Sequence, residues 1–305
     1  MRFGSKTLRL IVCTMVVMGS VATVVALNAH DGPVVAWGEP PIQSPPSGDF
    51  RLLIQGGSTQ GLGIRPNGHM ELWGGVGDPF PIAPLPPIFA QEVFIGGTIA
   101  QSHLLGLTWD GCVLGWGNNS QGQLTPPPNV RFTAVAAGQQ HSVGIALDGT
   151  LRAWGAPGLT NVPTGRFIDI AARAHYTVAV RSDGTVMGWG VAPAIFATWT
   201  SDNHGHFYVV GDRFTSVSAG ISHALGLTID NRVVGWGSNA DGELDGPEGV
   251  RFNAIAAGER YSLGIAVNGR LHAWGVNSFA EVDQLPSGRI ESIAAAAHSA
   301  FAIMK

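Results

Sequence analysis

The chain has 305 residues, 45% of them hydrophobic, with 43 glycines and a charged fraction of only 12%. Such a composition is ample for a core and excludes a disordered chain, and many glycines with few charges fit tight turns between short strands. The formal net charge of −4 leaves no basic stripe, which removes the electrostatic case for nucleic-acid binding.

In chain order, residues 1–29 read as a targeting segment. Arg2, Lys6 and Arg9 precede Leu10 to Leu27, which is apolar apart from Thr14, Ser20 and Thr23. Small residues then offer cleavage after Ala26 or Ala29. The apolar run of about 18 residues also meets the lower limit for a membrane span, so an uncleaved N-terminal anchor is the alternative to a signal peptide. Either way the rest is expected to be secreted, periplasmic or on the cell envelope, with membrane contact only through this segment. Beyond Cys13 in the run, Cys112 is the single cysteine, so an exported fold has to stand without an internal disulfide.

A fragment follows at residues 30–38, HDGPVVAWG, which is the tail of a longer unit. Trp-Gly recurs at Trp37, Trp73, Trp116, Trp154, Trp189, Trp236 and Trp274, at spacings of 36, 43, 38, 35, 47 and 38 residues. The fullest copies are VRFTAVAAGQQHSVGIALDGTLRAWG (130–155) and VRFNAIAAGERYSLGIAVNGRLHAWG (250–275). Each predicts three short strands: two apolar runs separated by a Gly-containing bend, then a hairpin turn into the Trp-Gly strand. The turn dipeptide stands at Asn67-Gly68, Asp110-Gly111, Asp148-Gly149, Asp183-Gly184 and Asn268-Gly269, with Asp230-Asn231 as the variant. No helical period of any length follows the leader. All-strand units of roughly 40 residues predict an all-β propeller with one unit per blade.

Two stretches exceed the period. Gly75 to Gln101 is proline-rich, contains Asp78 and Phe80, and reads as a rigid spacer, with partner contact as the lesser alternative. Residues 191–212 (VAPAIFATWTSDNHGHFYVVGD) hold Phe196, Trp199, His204, His206, Phe207 and Tyr208 outside the blade register. Packing does not demand the excess length, and dense aromatics mark the centres of protein interfaces, so these residues are candidate partner contacts. The competing outcome is that they fold back over a blade edge.

Other residues invite chemistry and fit packing better. A tryptophan wanted by every unit is wanted by the core, since a buried indole removes roughly 150–250 Å² from water. Histidine recurs at one unit position, His103, His141, His175, His223 and His298, with Tyr261 and Gln60 in the other two. Zinc needs ligands converging to roughly 2.0–2.1 Å, and side chains on successive blades diverge, so a hydrogen-bonding role within each blade is expected. The stretch Asp241-Gly-Glu-Leu-Asp245-Gly246 opens like a calcium loop, but Phe252 stands where the closing glutamate is needed, which makes it an inter-blade loop. Cys112 is a strand-start residue with no base beside it. Nucleophile elbow, zinc-helix, P-loop, dinucleotide and paired-cysteine motifs are missing, so neither catalysis nor a metal or cofactor is expected.

The last unit, RIESIAAAAHSAFAIMK, stops at Lys305 before its own turn and Trp-Gly strand. The fragment at residues 30–38 supplies that strand, which predicts seven blades with the N-terminal strand completing the C-terminal one and removing open sheet edges. Gly138 to Gly155, Trp116 to Leu124 (WGNNSQGQL) and Trp236 to Leu244 (WGSNADGEL) resemble the regulator-of-chromosome-condensation repeat, whose unit reads roughly AGxxHSxAL…DGxVxxWGxNxxGQLG. The resemblance covers nearly all of residues 30–305 and implies the seven-bladed propeller. Within that family the exported character and bare VVAWG start resemble the secreted bacterial β-lactamase inhibitory proteins of the propeller type. That branch implies an inhibitory contact made by aromatic and acidic residues in the AGxxH bends, which here read Gln139-Gln140, Arg173-Ala174, Ile221-Ser222 and Glu259-Arg260.

These readings predict an exported, monomeric, non-catalytic propeller that binds another protein through loops on one face. The candidate contacts are Gln139, Gln140, Glu259 and Arg260 together with the insert residues. A cell-envelope structural or adhesion module, a β-lactamase-inhibitor-like protein, and a glycan binder or enzyme using the 191–212 insert are the alternatives.

Overall fold

The computed structural model describes residues 31–38, 45–54, 60–74, 84–191, 193–202, 204–276 and 282–305. The leader at 1–29 and the candidates Asp78 and Phe80 lie outside the described residues. Among the described residues the chain forms seven small antiparallel sheets, the all-β propeller expected from the repeat. Blade 1 spans 52–74, blade 2 94–117, blade 3 132–155, blade 4 167–208, blade 5 214–237 and blade 6 252–275. Blade 7 joins Ile290–Ala295 and Ser299–Met304 to Gly32–Gly38.

Blade 3 shows how the repeat folds. Phe132–Ala137 pairs with His141–Ala146, which pairs with Leu151–Gly155. The first strands of successive blades touch one another, so they line the inside and the Trp-Gly strands lie outside. A Cβ at Gly144 would fall 2.4 Å from Phe132 Cδ1, so glycine in the middle strand is the seat of the inner-strand phenyl ring. The turn residues are set by backbone sign: Gly149 takes φ +82, and Asn231 fills the same position at φ +67, which asparagine tolerates better than most residues. Asp148 shapes its turn by accepting the Thr150 N–H at 2.9 Å.

The turns also make the joints between blades. The Phe132 N–H donates to Gly111 O at 2.8 Å, Phe167 to Gly149 at 2.8 Å, Phe214 to Gly184 at 2.9 Å and Phe252 to Asn231 at 2.8 Å. Blade 7 meets blade 1 in the same way, with Gly32 opposite Phe50. Gly32–Gly38 runs antiparallel to the C-terminal strand, with Val34 opposite Ile303 and Trp37 opposite Ala300. Leu53 and Trp73 of blade 1, with Phe50 just ahead of it, share a buried cluster with Ala294, Phe301 and Ile303 of blade 7, the Trp73 and Phe301 rings lying 5.6 Å apart.

The repeat's histidine, serine and tryptophan form a second joint. The Ser142 hydroxyl donates to Gln123 O at 2.8 Å, so its oxygen is free to accept from His103 Nε2, 3.1 Å away in the preceding blade. Trp154 Nε1 donates to the same Gln123 carbonyl at 2.8 Å. Blades 5 and 6 repeat the arrangement with His223, Ser262, Glu243 O and Trp274. The histidines therefore bond between blades, not within one as the sequence suggested. The register corrects two of them: Tyr176 and Ser299 occupy the strand position assigned to His175 and His298, which lie one residue earlier in the bends. Tyr176 still reaches the next blade, its hydroxyl donating to Gly220 O at 2.7 Å. The repeat tryptophans are core residues, except that Trp116 is only half-buried.

The proline-rich segment is more than a spacer. It ends in a 3-10 turn, Pro87–Ala90, that buries Phe89 against Phe94 with ring centroids 5.3 Å apart.

Candidate functional site

The insert after Trp189 is mostly packing. In blades 2 and 5 a linker leucine covers the outer-strand glycine: a Cβ on Gly115 would meet Leu124 at 2.9 Å, and one on Gly235 would meet Leu244 at 2.6 Å. At Gly188 of blade 4 the same place is taken by Phe196, 2.4 Å from such a Cβ. The short helix Pro193–Phe196 thus substitutes a phenyl ring for the repeat's leucine. Phe196 stacks on Phe207 at 4.7 Å and packs against Trp199, whose ring meets Trp236 of blade 5 edge-on at 5.1 Å. Phe196 is 5% exposed and Trp199 9%, so the sequence-based expectation of an aromatic contact surface is corrected for both: burial leaves them no face to offer. Phe207 is half-buried in the same stack.

Behind them His206–Tyr208 adds a fourth strand to blade 4, with His206 opposite Trp189, and Thr200–Ser201 adds a fifth. Asp202 organises the hairpin. Its Oδ1 accepts the His204 N–H at 2.8 Å and the His206 N–H at 3.1 Å, and its Oδ2 lies 2.8 Å from His206 Nδ1. Burial works to raise the Asp202 pKa, but the hydrogen bonds from His204 and His206 outweigh it and hold the carboxyl below its ordinary value. His206 is buried, whereas His204 is open to solvent, its side chain 81% exposed. Among the described residues no group of three or more His, Cys, Asp or Glu side chains is placed to hold a metal ion. The hairpin and the blade 3–4 linker flank a cleft of about 720 Å³ lined by Asn161, Arg181, Asp202, His204 and Tyr208. Asn161 Nδ2 closes its rim by donating to His204 O at 2.9 Å.

The AGxxH bends gather at the end of the propeller opposite the hairpin turns. Neighbouring bends are stitched together: Gln139 Nε2 donates to Gln101 Oε1 of blade 2 at 2.9 Å, and its backbone N–H donates to Ala174 O of blade 4 at 2.7 Å. Arg173 stands where blades 3, 5 and 6 have the bend glycine and pairs with Tyr176, and Ala174 holds φ +44 in the two-residue turn between them. Burial pulls the Arg173 guanidinium below its ordinary pKa, while Tyr176, Glu259 and Tyr261 act to hold it up. Arg260 is clamped from both sides by Asp241, Nε to Oδ2 at 2.7 Å and Nη2 to Oδ1 at 2.6 Å, which raises its pKa. Glu259 lies 3.6 Å from His298. Gln140, Ile221 and Arg260 remain exposed on this end. Ile221, 41% exposed, was not among the sequence candidates; its signal was an apolar residue at a bend position otherwise filled by Gln, Ala or Glu. The acidic loop at 241–246 is the inter-blade linker expected, with Asn239 Oδ1 accepting the Leu244 N–H at 2.8 Å. Cys112 is half-exposed against Arg131 and Asp110, on the other end.

The regulator of chromosome condensation (RCC1) repeat matches residues 132–158 and 214–243. No curated protein matches the chain. Among solved structures the chain is similar to human WBSCR16, with 18% identity, a TM-score of 0.72, and 90% of this chain and 99% of that one covered. Prp20p from Saccharomyces cerevisiae, described with its binding to Gsp1p and histones, superposes with 14% identity and a TM-score of 0.74 over 93% of each chain. The ectodomain of the Arabidopsis thaliana receptor kinase ACR4 aligns with 20% identity and a TM-score of 0.62, over 80% of this chain and 88% of that one.

Proposed function

We propose that this chain, which carries RCC1 repeats on a seven-bladed propeller, is a non-catalytic protein-binding module acting outside the cytoplasm, with the bend end as its contact face. The observation that carries the reading is the stitching of the bends. Gln139 ties blades 2, 3 and 4 together and Asp241 fixes Arg260, while Gln140, Ile221 and Arg260 stay open to solvent. A face locked in place before contact loses little conformational entropy on binding. An exposed apolar residue beside a pre-oriented arginine is the composition of an interface centre. Prp20p, a propeller of the same fold, is described as binding proteins, and the ACR4 propeller is part of an ectodomain, which suits both halves of the proposal. The positively charged, then apolar, residues 1–29 support export.

The test is capture of extracellular proteins on the immobilised full chain, compared with the triple variant Gln140→Ala, Ile221→Asp, Arg260→Glu. A partner retained by the wild type is expected to be lost from the variant while near-UV circular dichroism shows it still folded, although it should melt somewhat lower because Arg260→Glu sets a carboxylate against Asp241. Equal capture by both chains rejects the bend end as the contact face.

A further inference from the structure

The opposite end of the propeller carries a pattern that protein binding at the bends does not use. In six of the seven blades the middle strand ends in a tip residue whose N–H donates to the carbonyl just ahead of the inner-strand start: Trp109 to Val93 O at 3.0 Å, Leu147 to Arg131 O at 3.0 Å, Ser182 to Arg166 O at 2.9 Å, Ile229 to Arg213 O at 3.0 Å, Val267 to Arg251 O at 2.9 Å and Lys305 to Arg289 O at 3.0 Å. This repeated bond places the tips on one face. In blades 2, 3, 5 and 6 the tip is also apolar and exposed: Trp109 is 69%, Leu147 65%, Ile229 66% and Val267 55% open to solvent, while blades 4 and 7 carry Ser182 and Lys305 there. Single exposed apolar residues need no explanation, but a large one at the same register of four blades does. Next to Trp109, Val93 and Ile95 are exposed as well, at 44% and 52%. Arginines also stand on this face, about half open to solvent: Arg131, hydrogen-bonded to Asp110 at 3.1 Å, and Arg251, more loosely paired with Asp230 at 3.6 Å.

The described chain also enters the propeller at this face. Asp31 opens the described chain immediately before Gly32, which sits opposite Phe50 in the turn-end joint. Residues 1–30 therefore join the propeller at the same end as the exposed tips, and they include the apolar run Leu10 to Leu27.

We propose that the turn end is a membrane-docking face. Trp109, Leu147, Ile229 and Val267 enter the boundary between headgroups and acyl chains, Arg131 and Arg251 meet lipid phosphates, and the segment 10–27 tethers the face to the bilayer. Tryptophan at the interface and arginine at anionic headgroups are the residue types that such a boundary favours. Docking this way turns the bend end away from the membrane. The inference is independent of the protein-binding reading, since the two concern opposite ends.

The experiment places the full chain with phosphatidylcholine–phosphatidylglycerol vesicles whose acyl chains carry bromine, and reads tryptophan emission. The expected result is quenching of one emission component that disappears in Trp109→Phe. In the triple variant Leu147→Ser, Ile229→Ser, Val267→Ser, the chain still floats with the vesicles through its N-terminal segment, but the Trp109 quenching is lost. Near-UV circular dichroism should be unchanged, because the substituted residues are exposed. Failure of the wild type to float, floating without quenching, or quenching equal in the wild type and the triple variant each overturns the docking face. Partner capture by the bend end, measured separately, should be the same for the triple variant and the wild type.

Discussion

At the scale of single residues, the buried histidines tie the blades together and make the fold sensitive to acid. Burial holds His103 and His223 down to about 4, with Glu243 partly opposing the shift at His223, and burial with His103 and His175 nearby holds His141 down to about 3. The serine geometry explains the direction. Because Ser142 and Ser262 give their hydroxyl hydrogens to linker carbonyls, His103 and His223 must present Nε2–H, which leaves Nδ1 bare and buried. Adding a proton there buries an unpaired charge. Above the ordinary histidine value of about 6.5 both folded and unfolded chains are neutral at these sites, and the stability is fully present. As pH falls below it, the unfolded chain takes up protons that the folded one refuses, until the folded values are reached. Each histidine then removes up to about 1.4 kcal/mol per pH unit. Urea midpoints measured at pH 7, 6 and 5 should fall steadily. Blade 1 has Gln60 at this position, so His103→Gln, His141→Gln, His223→Gln is the variant expected to fold and to flatten the profile. An equally steep fall in that variant would remove the histidines as the cause.

At the scale of elements, the insert in blade 4 separates what was legible in the sequence from what was not. The Trp-Gly period and the Asp-Gly turns made the three-strand repeat, the blade count and the turn into each Trp-Gly strand legible, because they reflect backbone sign and side-chain alternation, which are local properties; the two extra strands of blade 4 were not legible. Which residue fills the seam under Gly188 is not local. The leucines at 124 and 244 follow their Trp-Gly by seven residues, within the motif, whereas Phe196 arrives from a helix that no periodicity announces. The same blindness to register put His175 and His298 one residue out of place and cast Phe89 as part of a spacer. Conversely, the bend positions Gln139, Gln140, Glu259 and Arg260 were legible as candidates because bends are surface by construction. The seam makes its own prediction. Phe196→Ala should cost about 3–5 kcal/mol, the range for emptying a buried aromatic site, while His204→Ala on the same insert should change stability by less than about 0.5 kcal/mol. Thermal melts of the two variants decide it; a stable Phe196→Ala chain would return the insert to the surface.

At the scale of the whole molecule, the first and last described strands meet in one sheet. Six blades are each continuous in sequence, so their strands are held together by short turns even when the ring opens. Blade 7 is different: Gly32–Gly38 has no covalent link to Ile290–Ala295 and Ser299–Met304 except through the other six. Its attachment rests on the pairing from Val34–Ile303 to Gly38–Ser299, on burial of Trp37 at 6% exposure, and on the Gly32–Phe50 joint to blade 1. Removing residues 30–38 strips a buried indole and uncovers the edge of the C-terminal strand, whose free N–H and C=O groups then have only water for partners. The loss of Trp37 alone is comparable to a Trp→Ala core substitution, about 3–5 kcal/mol, and the loss of the joint adds to it. At about 2–4 °C per kcal/mol for a domain of this order, the truncated chain should melt at least about 6 °C lower. A synthetic peptide of residues 30–38, added in trans, should recover part of that loss in a concentration-dependent way, because it binds only the folded form. Trp37→Ala in the full chain separates the contributions: a fall as large as that of the truncation assigns the effect to the indole, and a much smaller fall assigns it to strand pairing. Unchanged melting of the truncated chain would mean that the ring holds on six complete blades and that the N-terminal strand contributes nothing to its closure.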